Sequence, residues 1–158
     1  MARRSNPVVA LPLSFLVAFL LASLPLPQAI SYWRPEFVTM VLIFWVLNTP
    51  TLVGVWTGFI LGVLLDVLLA TPFGLHPMML AVVAWLAQQS WRRVAVFSLA
   101  QTSLLVLVLV LIGLVIKRVL LGVVTTTPPD SWWYWLPAFT SALIWPTVMV
   151  SLRRFSLR

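Results

Sequence analysis

The chain has 158 residues, 62% of them hydrophobic and only 8% charged, against roughly 45–50% and about 25% in soluble globular domains. No soluble fold of this length can bury so much apolar surface, so the composition implies an all-α polytopic membrane protein in a single integral membrane domain, 1–158. The net charge is +7, and the absence of cysteine excludes disulfides, haem attachment and thiolate metal sites. The cations fall as pairs beside apolar runs (Arg3-Arg4, Arg92-Arg93, Lys117-Arg118, Arg153-Arg154) with Arg34 and Arg158, which marks topology and not a nucleic-acid partner.

Residues 1–6 form a short cationic tip. The first span, 7–24, reads as a retained signal-anchor with Pro12 near its start, where proline costs least. Pro25, Pro27 and Gln28 end it, and 31–36 is an interfacial loop with Tyr32 and Trp33 at headgroup level. Two apolar runs, 36–48 and 52–70, are separated by Asn48-Thr49-Pro50-Thr51. Together they are too long for one crossing, so they predict a tight helical hairpin. Its short first arm either thins the bilayer locally or lies in a protein-lined groove. After the turn Thr71-Pro72-Phe73-Gly74, a fourth span covers 76–91 and ends at Arg92-Arg93. The fifth follows directly at 94–121. A loop over 122–131 leads to the sixth, 132–152, entered through the interfacial belt Trp132-Trp133-Tyr134-Trp135, with Asp130 or Ser131 as a cap and a kink expected at Pro146.

Charge placement distinguishes the topologies. Six spans starting inside put seven cations in the cytoplasm and three outside, whereas a re-entrant loop at 36–48 gives four against six. The positive-inside rule therefore selects six spans with both termini cytoplasmic. Lys117 and Arg118 then need to snorkel to the outer headgroups.

Asp66 is the one carboxylate inside a long apolar run, and a carboxylate near a bilayer centre costs a few kcal/mol on insertion scales. It either caps the following turn or pairs with His76, or else serves as a proton or ligand site or as a polar anchor to a partner helix. Gly54, Gly58 and Gly62 share its helix face, where small residues let a second helix approach closely, whether internal or from another protein. His76 is the single histidine, too few ligands for a metal site. No second intramembrane acid, Ser–His pair or phosphate loop accompanies them, so the reading is no enzyme and no cofactor.

The order Arg34-Pro35-Glu36, VLIFWVLNTP, then VGVWTGFILGVLLDVLLATPFGLHPMMLAVVAWLAQ resembles the rod shape-determining protein MreD family of bacteria. The resemblance is carried chiefly by Gly58, Gly62 and Asp66, the turn with Gly74, and Val83-Ala84-Trp85-Leu86, with Trp85 standing where the family often has tyrosine. It implies a fold similar to the substrate-binding subunits of energy-coupling-factor vitamin transporters. It also implies a non-enzymatic inner-membrane scaffold of the elongation complex, needed for rod shape and lateral peptidoglycan synthesis. The partners implied are an MreC-like bitopic protein and, through it, an MreB-like filament and a glycosyltransferase–transpeptidase pair, with membrane lipid and a homodimer as further associations. Gly54, Gly58, Gly62, Asp66, Gly74 and His76 are the partner-binding or helix-packing residues so expected. The alternative is a small-molecule, vitamin-like binding subunit of a transporter, with Asp66, His76, Asn48, Gln88, Gln89 and Gln101 as its polar candidates.

Overall fold

A computed structural model describes residues 7–125 and 131–156; the cationic tip and Asp130 lie outside the described residues. Among those described there is no strand. The helices are α1 (Pro7–Ser23), α2 (Gln28–Ser31), α3 (Phe37–Asn48), α4 (Val55–Leu69), α5 (Leu75–Val94), α6 (Leu99–Val124) and α7 (Leu136–Ser156), with a single 3₁₀ turn at Trp132–Trp135 before α7.

The bundle is built around its shortest long helix. Between its ends α3 is apolar apart from Thr39, with no polar stripe to turn toward water, so it needs apolar surroundings, lipid or protein, on every side. Every residue from Val38 to Val46 is buried, with α1, α5, α6 and α7 packed around it. At 12 residues it is about 18 Å long. Of the two expectations for this arm, the protein-lined groove describes its surroundings. Trp45 anchors it sideways, its Nε1–H donating to Ser14 Oγ on α1 at 2.8 Å.

Two segments, Leu99–Val124 and Trp132–Phe155, are long and apolar enough to cross a membrane, and only 28% and 22% of their most apolar windows are buried. The core helix of a soluble protein would be mostly buried. These helices instead turn most of their apolar length outward, where lipid is the solvent that accepts it.

The element boundaries differ from the sequence reading at several helix ends, with α6 running on to Val124 and α7 covering Leu136–Ser156. α4 starts at Val55 and not at residue 52, because Leu52 and Val53 N–H both return to the Thr49 carbonyl and close a turn first. α5 runs on through Arg92 and Arg93 to Val94, and α6 begins only at Leu99. Ser98 sets that start through a reciprocal cap: Gln101 N–H donates to Ser98 Oγ at 3.3 Å and Ser98 N–H to Gln101 Oε1 at 2.9 Å. The interfacial loop contains the four-residue helix α2. Ser131 makes no side-chain cap; its carbonyl accepts from Tyr134 N–H. Pro146 lies within α7, which continues through it.

Candidate functional site

Asp66 sits in the last turn of α4, and the chain reverses immediately after it. Ala70 takes the left-handed conformation (φ 50°) and Gly74 does so again (φ 100°), which brings the start of α5 back over the carboxylate. Four donors converge on it. Thr71 Oγ1–H and His76 N–H donate to Oδ1 at 2.9 and 3.2 Å, and Gly74 N–H donates to Oδ2 at 2.9 Å. His76 Nδ1 lies 2.6 Å from Oδ1, so with the carboxylate ionised the imidazole donates through Nδ1–H. Asp66 and His76 are each only 1% exposed. Three of these donors share Oδ1 and one reaches Oδ2, and all of them come from the α4–α5 turn. Of the open readings for Asp66, the local ones, capping of the following turn and pairing with His76, describe this geometry.

The glycine face meets α5. A Cβ on Gly58 would lie 2.7 Å from the Leu80 carbonyl oxygen, and one on Gly62 would fall against Pro77 N and Cα. Both contacts are with backbone, so the small residues let α4 and α5 approach more closely than any side chain would permit. Gly54 differs: it precedes α4 in extended conformation, and its nearest neighbour is the Gln88 side chain. The expected docking surface for another protein is thus filled by the chain's own fifth helix. The polar side chains of the alternative reading are also engaged locally. Gln88 Nε2 donates to Pro50 O at 3.2 Å, Asn48 Nδ2 to Phe44 O at 2.7 Å, and Gln101 belongs to the α6 cap. Gln89 is exposed on α5.

Beside the Asp66–His76 pair lies a cavity of about 360 Å³, bounded by His76 together with Arg34, Glu36, Lys117 and Tyr134, and closed on its apolar side by leucines of α4 and α6. It fills the space beyond the N-terminal end of the short α3. Lys117 is turned inward, its Nζ 4.0 Å from Glu36 Oε1. Arg118 lies 5.9 Å from the ring of Trp135. Glu36 is held by Ser141 Oγ, which accepts its backbone N–H at 3.0 Å, and by Thr39 Oγ1–H, which donates to its carboxylate at 3.4 Å. Tyr134 donates its hydroxyl proton to the Leu114 carbonyl at 3.0 Å. Among the described residues no three of His, Asp and Glu come together as metal ligands.

Sequence reading missed Arg34, Glu36 and Lys117 as neighbours of one cavity. The signal that could have found them was Lys117 itself, a cation inside an apolar run with a carboxylate at the start of another helix.

The family model described as rod shape-determining protein MreD matches residues 2–155. The sequence is also 30% identical over 143 residues to the rod shape-determining protein MreD of Haemophilus influenzae, an alignment covering 89% of this chain and 86% of that one. No solved structure matches it. On a match that runs through nearly every residue, the helical bundle and its carboxylate clasp belong to a member of the MreD family of rod shape-determining proteins.

Proposed function

We propose that this protein is a non-enzymatic scaffold of the bacterial inner membrane. In this reading α1, α3, α4, α5, α6 and α7 form six spans with both termini in the cytoplasm. The protein contributes to rod shape and lateral peptidoglycan synthesis by holding an MreC-like bitopic protein and, through it, wall-synthesis enzymes and an MreB-like filament. The family role in shape determination supports the reading. The observation that carries it furthest is that the Asp66 carboxylate is held by Thr71, Gly74 and His76 of the chain's own α4–α5 turn. In this reading the carboxylate serves the turn, and the function is carried by the protein's surface. Since the glycine face is covered by α5, partner contacts fall on the outward faces of the helices.

The test is affinity purification of the tagged protein from native membranes in mild detergent, followed by mass spectrometry. Recovery of MreC with a glycosyltransferase–transpeptidase pair is the expected result. A second reading, a small-molecule binding subunit of a transporter, is favoured by the cavity beside His76. Recovery of paired ATPase subunits with a large coupling membrane protein would establish it in place of the scaffold.

A further inference from the structure

The cavity at the end of α3 is open at its rim, where Ser31, Tyr32 and Trp133 are exposed, and holds about 360 Å³. It is also within the size range of small-molecule sites.

Its walls have two characters. Leu65, Leu69 and Leu114 make one side apolar, while Arg34, Glu36 and Lys117 lie on the other. The charges do not balance. Glu36 answers Lys117 across 4.0 Å, a loose pair with room for a third group. Asp66 is engaged by its own turn and by His76. Arg34 donates through Nη2 to the Leu21 carbonyl and has no carboxylate within ion-pair distance among the described residues. A guanidinium carries five N–H donors, and a half-buried cation beside apolar walls is stable when a counter-charge accompanies it.

We propose that this cavity is a binding site for a small amphiphilic anion. A phosphate or carboxylate is held by Arg34 and Lys117, and an apolar body lies along Leu65, Leu69 and Leu114. The inference is independent of the partners named above, since it concerns the isolated chain. The same chemistry is offered by a lipid phosphate and by a soluble amphiphile, and the experiment separates them.

The full-length protein is purified in a neutral detergent and titrated with octyl phosphate and, in parallel, with octanol. Separately it is taken from nanodiscs of phosphatidylglycerol or phosphatidylcholine into native mass spectrometry. Saturable binding of octyl phosphate at least tenfold tighter than of octanol is expected. Arg34→Gln should weaken it at least tenfold, while Arg92→Gln, at the other end of α5, should leave it unchanged. Leu69→Trp, which fills the cavity from its partly exposed rim without altering charge, should abolish binding in a protein that still elutes as a single species. Phosphatidylglycerol retained by the wild type and lost from Arg34→Gln identifies a lipid source; octyl phosphate binding without retained lipid identifies a soluble one. No saturable binding of either probe overturns the proposal. So does equal binding by wild type and Leu69→Trp, the variant that decides the matter if Arg34→Gln fails to fold.

Discussion

A Cβ added to Gly62 falls against the backbone of Pro77, while one added to Gly74 meets nothing within 4 Å. The two glycines are therefore required for different reasons, and substitution separates them. Gly62→Ala forces α4 and α5 apart, a form of overpacking that costs about 1–3 kcal/mol and grows with side-chain size. Gly74→Ala adds no clash but places a Cβ at φ 100°, which costs on the order of 1–3 kcal/mol as backbone strain. Asn, which tolerates left-handed backbone, should recover part of the loss at Gly74 and none at Gly62. Thermal unfolding in detergent, followed by tryptophan fluorescence, checks both series. Asp66→Asn replaces one acceptor oxygen by a donor, so either the Gly74 N–H or the three groups at Oδ1 face an N–H in place of a lone pair. The expected loss is about 1–3 kcal/mol. Thr71→Ala removes one donor of four and should cost about 1 kcal/mol, so a larger loss in Thr71→Ala than in Asp66→Asn would contradict the clasp. At this scale the Gly–Gly–Asp spacing was legible as a close-approach face, but a spacing does not name its neighbour. That the neighbour is α5 follows from the reversal at Ala70 and Gly74, and left-handed backbone at an alanine has no sequence mark.

The helices themselves were readable, because long apolar runs broken by Pro, Asn and Gly leave few choices. For α3 the sequence left two readings open, local thinning of the bilayer or a protein-lined groove, because a wholly apolar helix suits lipid as well as protein. Its hydrogen bond to α1 did not show, since Ser14 looks like any small residue in an apolar run. Ser14→Ala strands the buried Trp45 N–H, at a cost of about 1–3 kcal/mol, and should lower the unfolding temperature of the detergent-solubilised protein. Ser14→Thr keeps the oxygen and serves as the comparison; equal stability of wild type and Ser14→Ala would mean that the 2.8 Å contact contributes nothing. The start of α6 was legible and overlooked. Ser98 followed three residues later by Gln101 is a capping box, a stronger boundary signal than the end of the Arg92-Arg93 pair.

Across the whole molecule, residues 34, 36, 76, 114, 117 and 134 gather around one cavity, although no periodicity links them. Sites of that kind are made by topology, and a single sequence reveals only their unusual members, here Lys117. The topology itself can be mapped directly because the chain has no cysteine. With both termini cytoplasmic, Leu26→Cys should react with a membrane-impermeant maleimide in intact spheroplasts. Val96→Cys, between α5 and α6, should react only after the membrane is opened. The reverse pattern would invert every helix and place the cavity beside His76 on the cytoplasmic side.

The position of α3 in the chain also governs how the protein is made. A 12-residue helix is too short to hold a transmembrane position on its own hydropathy. Of the helices that surround it, only α1 precedes it; α5, α6 and α7 leave the ribosome later. During synthesis α3 is therefore a guest without most of its hosts, and the bundle can close around it only when α7, ending at Ser156, has been delivered. A chain interrupted anywhere before α7 leaves one flank of α3 uncovered, which makes incomplete copies distinguishable to membrane proteases from finished ones.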